Sequence, residues 1–115
     1  MEFSSYAKKA SRLKELIVGL HNYPNFYRQD VEVYGIQLDS RMIKKGDLFI
    51  ACRGRNRDAR EFVKTAIDAG AIAVCVDADD NWRPVQIIDG VPVVAIDNLA
   101  ANVSLIAGRF YDHPS

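Results

Sequence analysis

The sequence predicts an α/β fold, a small mixed and largely parallel sheet flanked by helices. Three observations carry that expectation. Short apolar runs recur at 48–52, 72–76 and 91–96, each bounded by turn-forming residues. Stretches with apolar residues three and four apart flank or separate those runs at 5–20, 58–69 and 97–112. The 115 residues are 49% hydrophobic and 26% charged, the balance of a single globular domain that can bury its own core.

Each element has its own local signal. Leu13, Leu16, Ile17 and Leu20 share one face, and Lys8, Lys9, Arg12, Lys14 and Glu15 fall largely on the other. Residues 5–20 therefore read as an amphipathic helix, ended by the His21-Asn22-Tyr23-Pro24-Asn25 segment. Residues 31–38 alternate as a strand does, with a slip at Gly35 that predicts a bulge or bend. Asp39-Ser40-Arg41 leaves that strand as a polar turn, which Asp39 is suited to hold through its own backbone. Lys45-Gly46-Asp47 is a second turn, and the run at 48–52 fits a strand covered on both faces.

A polar loop at 53–58 leads into the next helix. Asp58 and Glu61 resemble a capping box there, and Phe62, Val63, Ala66 and Ile67 form the apolar stripe. Gly70 suits a left-handed C-terminal cap. After the buried strand at 72–76 comes a polar stretch, 77–90, containing Trp82, Pro84 and a short strand near 85–88. Residues 91–96 form a further strand. Asp97 or Asn98 then caps a last helix with Leu99, Val103, Ile106 and Phe110 on one face, stopped by His113-Pro114.

Fifteen basic and fifteen acidic residues give zero net charge. That argues against a nucleic-acid coat or a polybasic membrane binder, which depend on summed positive charge. No apolar run reaches the roughly 20 residues of a membrane helix, and the N-terminus lacks a signal-peptide core. Cys52 and Cys75 lie in apolar runs without metal-ligand spacing and read as buried free thiols of a reducing, cytoplasmic compartment. Tyr34 and Trp82 read as packing residues.

Charge is uneven locally. Residues 41–60 hold Arg41, Lys44, Lys45, Arg53, Arg55, Arg57 and Arg60 against Asp47 and Asp58, a net +5. The excess falls in segments that follow strands, where open α/β sheets bind ligands, and leads into a helix N-terminus. An anionic small ligand such as a nucleoside diphosphate fits that pattern; a solvated basic surface is the alternative. Other chemistries lack their motifs. There is no G-x-x-x-x-G-K-[ST] phosphate loop and no G-x-G-x-x-G. His21 and His113 have no spacing for a zinc site, and no histidine stands to form a triad with Ser40. No catalytic residue and no metal ligand is expected in this chain.

In order along the chain, several motifs resemble the N-terminal domain of the Mur ligase family. They are Gly35-Ile36-Gln37-Leu38-Asp39-Ser40-Arg41, Lys45-Gly46-Asp47-Leu48-Phe49-Ile50-Ala51, Gly54 with the helix start at 58–62, and Ala69-Gly70-Ala71. Val91-Pro92-Val93 and Gly108-Arg109-Phe110-Tyr111-Asp112-His113-Pro114-Ser115 continue the series. The resemblance covers residues 31–115, leaving 1–30 as an N-terminal helix and connecting segment. The ending is closer to the ligase type that adds the third amino acid of the peptide stem than to the type that adds the terminal dipeptide.

The resemblance implies a domain that holds the UDP end of UDP-N-acetylmuramoyl-L-alanyl-D-glutamate. It implies contacts from Leu38 and Ser40 in the first loop and from Arg55, Asn56 and Arg57 in the second. Amide-bond chemistry is expected in central and C-terminal domains absent from this chain, with ATP and Mg²⁺ forming an acyl phosphate that a diamino acid attacks. That amino acid is 2,6-diaminopimelate, with L-lysine as the alternative. Two other readings stand beside this one: the dipeptide-adding ligase, and a free-standing module whose basic loops meet an acidic protein or RNA. Ala59 stands where many family members carry glycine, and 55–57 is more basic than is usual among them.

Overall fold

A computed structural model of the chain describes residues 11–20, 31–52, 59–78 and 85–111, with 59, 60 and 85 described in backbone only. Strand β1 (Ser11–Arg12) pairs antiparallel with β2 (Glu32–Val33), and helix α1 (Leu13–Ile17) follows β1 directly. The main sheet comprises β3 (Gly35–Gln37), β4 (Asp47–Ala51), β5 (Ala73–Asp77), β6 (Val85–Ile88) and β7 (Val91–Ile96). Helix α2 (Val63–Ala69) precedes β5 and helix α3 (Leu99–Tyr111) follows β7; 3-10 turns occupy Ser40–Met42 and Ala59–Phe62. The strand order is β3-β4-β5-β7-β6. The first four strands run parallel and β6 lies antiparallel at the edge, the expected small, mixed, largely parallel sheet.

Alternate side chains of a strand point to opposite faces, and here each face has its own helical layer. Leu48, Ile50, Ala73, Cys75, Val94 and Ile96 meet Leu13, Leu16 and Ile17 of α1 and Leu99, Ile106 and Phe110 of α3. Phe49, Ala51, Val74, Val76, Val93 and Ala95 meet Val63 and Ala66 of α2, together with Ile43. Every residue of β4 is buried. Coverage on both sides is why these strands read as unbroken apolar runs. Each fully buried leucine, isoleucine or phenylalanine contributes about 1.5–3 kcal/mol, which concentrates stability in β4, β5, β7 and the helices against them.

The first helix departs from its expected limits. Among the described residues it starts at Leu13, because Ser11 and Arg12 are extended and pair with Val33 and Glu32. It stops at Ile17, ahead of the Pro24 signal: Val18 leaves the helical region at ψ 135° and Gly19 turns left-handed at φ +82°. The Arg109 guanidinium closes that end, Nη1 donating to the carbonyls of Leu16 (3.0 Å) and Val18 (2.8 Å).

The slip at Gly35 is a change of sheet instead of a bulge. β2 pairs with β1, β3 pairs with β4, and between them the Tyr34 N–H donates to the Gly46 carbonyl at 2.9 Å. A Cβ at position 35 would stand 2.5 Å from Asp47 Oδ1, so glycine lets the buried Asp47 carboxylate sit against the crossing. Its other oxygen accepts from the Lys44 N–H at 2.8 Å and holds the turn before β4.

Asp58 lies outside the described residues, and α2 begins only at Val63, after a 3-10 turn. Gly70 takes the expected left-handed position at φ +118°. Leu99, Ile106 and Phe110 of the α3 stripe are buried and Val103 is half-buried, but the cap is neither Asp97 nor Asn98: Asp77 Oδ1, at the end of β5, accepts from the Leu99 N–H at 3.1 Å. Asp89 and Gly90, at φ +52° and +82°, join β6 to β7 with the two left-handed residues of a type I′ hairpin. Lys64 of α2 ties that turn down through a 2.7 Å ion pair with Asp89. The signals at His21, Trp82 and His113-Pro114 lie outside the described residues.

Candidate functional site at the C-terminal edge of the sheet

Because β3, β4, β5 and β7 are parallel, their C-terminal ends share one edge of the sheet. Leu38 and Ser40 follow β3 there. The neighbouring strand β4 ends at the same edge with Ala51 and Cys52, after which residues 53–58 begin. Arg55, Asn56 and Arg57 lie outside the described residues. The fold thus sets the first loop beside the strand from which the second departs.

The first loop is a compact turn. Asp39 is its N-cap: Oδ1 accepts from the Arg41 N–H at 2.9 Å, and the Asp39 carbonyl accepts from the Met42 N–H at 2.9 Å. The Arg41 guanidinium folds back onto the same carboxylate, Nε to Oδ1 at 3.1 Å and Nη2 to Oδ2 at 2.9 Å. These hydrogen bonds from Arg41 hold the Asp39 carboxyl below its ordinary value and Arg41 above its own. Asp39 therefore does hold a turn, and Ser40 sits half-buried between the two clamped residues. On either side the turn shows apolar surface, Leu38 at 52% and Met42 at 57% exposure.

Among the described residues the basic run is split between the two ends of the strands. Arg41 is engaged by Asp39, and Lys44 and Lys45 precede β4, at the opposite end of the strands from Ser40. Arg53, Arg55 and Arg57 lie outside the described residues and Arg60 is described in backbone only. Sequence arithmetic counted these charges together because it cannot see that the 38–46 connection runs the height of the sheet. Tyr34, expected to pack, is half exposed; its hydroxyl donates to Glu32 Oε1 at 3.1 Å.

Both cysteines are free. Cys75 is fully buried, whereas Cys52, just past the end of β4, is only half-buried. Burial pushes the Cys75 thiol up to about 12 and also raises Cys52, with the Asp77 carboxylate adding to the latter. Neither is an activated nucleophile. Among the described residues no group of three or more His, Cys, Asp or Glu side chains could hold a metal ion, and no helix is long and apolar enough to cross a membrane.

A sequence profile described as "Mur ligase family, catalytic domain" matches residues 32–111. A UDP-N-acetylmuramoyl-L-alanyl-D-glutamate--2,6-diaminopimelate ligase of Haemophilus influenzae is 38% identical over 101 residues, covering 86% of this chain and 20% of that protein. The ligase of the same name from Coxiella burnetii is 42% identical over 86 residues, 75% of this chain and 17% of that protein. Among solved structures, MurF from Acinetobacter baumannii matches with a TM-score of 0.65 at 18% identity, covering 89% of this chain and 21% of that one. Fold and matches define the class, an α/β sheet domain of the kind built into larger ligases. The chain belongs to the Mur ligase family. It spans about a fifth of the length of the curated relatives it matches.

Proposed function

We propose that this chain holds the UDP end of UDP-N-acetylmuramoyl-L-alanyl-D-glutamate within a cytoplasmic, ATP-dependent ligase that adds 2,6-diaminopimelate to it in peptidoglycan synthesis. The observation that carries the reading is the 38% identity to a ligase of that name across 86% of the chain. The geometry of the edge is compatible with it. Leu38 offers apolar surface and backbone groups to a uracil ring, and the Ser40 hydroxyl can donate and accept at its polar rim. Arg55, Asn56 and Arg57 follow the adjacent strand and supply charge and N–H groups to the ribose and diphosphate.

ATP and Mg²⁺ do not fit the residues in hand. The sequence has no phosphate-loop motif, and the described residues include no metal-capable cluster. Nucleotide hydrolysis and amide-bond formation belong, in this reading, to central and C-terminal ligase domains outside this chain, and the part played here is to bind and orient the substrate's handle.

Titration of UDP into the isotope-labelled chain tests the binding. Amide shifts at residues 38–40 and 54–58 are expected, and saturation without shifts in either segment would remove the proposed site. The full-length protein should consume 2,6-diaminopimelate with the dipeptide precursor. Consumption of D-alanyl-D-alanine with a tripeptide precursor instead would reassign it to the dipeptide-adding ligase.

A further inference from the structure

Ser40 lies between two residues that grip each other across it. Three hydrogen bonds of 2.9–3.1 Å join Asp39 and Arg41, one to the backbone N–H of Arg41 and two to its guanidinium. The pair is a surface feature, with Arg41 at 85% and Asp39 at 42% side-chain exposure. Exposed pairs of this kind add little to global stability. Their effect is local: with Oδ1 committed to the N-cap and the fork of Arg41 closed on both carboxylate oxygens, the backbone around Ser40 has one arrangement.

From this, and resting on the function proposed above, we infer that Asp39 is a positioning residue for Ser40, setting the turn so that the hydroxyl and the Leu38 backbone meet the uridine of a nucleoside diphosphate in fixed geometry. Asp39 acts through the turn, since both its carboxylate oxygens are taken up by Arg41. Arg41 serves as the strap of that turn. Its Nε–H and one Nη2–H are engaged by Asp39.

The test uses UDP as the probe and the full-length protein, with dissociation constants and melting temperatures measured for each variant. Asp39→Ala and Ser40→Ala should each weaken UDP by about tenfold, the size of one lost interaction, with the melting temperature nearly unchanged. If Asp39 acts through Ser40, the double variant Asp39→Ala/Ser40→Ala binds no more weakly than the weaker single one. Asp39→Asn, which keeps the acceptor for the Arg41 N–H, should retain more affinity than Asp39→Ala. Arg41→Lys preserves charge but cannot make the planar fork, and should bind as poorly as Arg41→Ala; this variant carries the test should Asp39→Ala lose its fold. Additive losses in the double variant, or full affinity in Arg41→Lys, would overturn the positioning role and leave the proposed function standing. Failure of the unaltered protein to bind UDP overturns both.

Discussion

Cys75 sits in the middle of β5 with no exposed surface, and its thiol keeps its proton until about pH 12, against 9.0 for an ordinary thiol. A folded-state pKa raised in this way leaves stability intact below pH 9 and erodes it as pH rises toward 12, since only the unfolded chain releases the proton. The loss reaches about 1.4 kcal/mol by pH 10. Urea midpoints at pH 7.5 to 10 should fall accordingly, and Cys75→Ala should flatten most of that slope while lowering the whole curve. An unchanged slope in the variant would assign the effect elsewhere. Lys64, raised above 10.5 by Asp89, loses its contribution only beyond that range, and the remainder of the slope falls to Cys52, whose thiol is also raised. That Cys75 is buried was legible from its place inside an apolar run. Cys52 looked equivalent but falls past the last residue of β4 and is only half-buried, and composition carries no mark of that boundary.

Helix α3 shows which parts of an element are local. Leu99, Val103, Ile106 and Phe110 recur at helical spacing, and that periodicity alone located the buried face. The capping group could not be found this way. Asp77 reaches the first N–H of α3 from 22 residues upstream, and Asp97 and Asn98, the residues in the usual place, leave that N–H to it. Asp77→Ala should therefore destabilise the protein by about 0.5–2 kcal/mol, read as a lower urea midpoint at constant slope, with Asp77→Asn costing less. An Asp97→Ala variant of equal cost would contradict this. The same distinction separates β2 from β3: alternation marks residues 31–38 as extended, but the switch of partner at Tyr34 depends on strands far away in sequence. The Asp89-Gly90 pair that joins β6 to β7 is, by contrast, a purely local hairpin signal, which reading 77–90 as a polar stretch passed over.

Across the whole molecule, the burial of β4, β5 and β7 on both faces predicts a gradient of protection. Their amides should exchange with solvent slowest, those of β6 faster, and those of the two-residue ribbon β1–β2 fastest, as measured by native-state hydrogen exchange. Uniform protection across all seven strands would contradict the gradient. The sheet's direction was legible because strands covered on both faces have few alternatives to parallel packing; the strand order was not, because it depends on which runs meet in space. The first half of the candidate site, Leu38 and Ser40, was placed by motif and sits at the expected strand end, while the charge count merged residues that the fold sends to opposite ends. The Asp89-Gly90 hairpin occupies the far corner of the sheet from Ser40, beyond β4 and β5 and at the other end of the strands, and around Gly90 nothing lies within 4 Å of a would-be side chain. A tether grafted there could anchor the protein to a sensor chip with the opposite rim, which carries Leu38 and Ser40, turned toward the flowing solution.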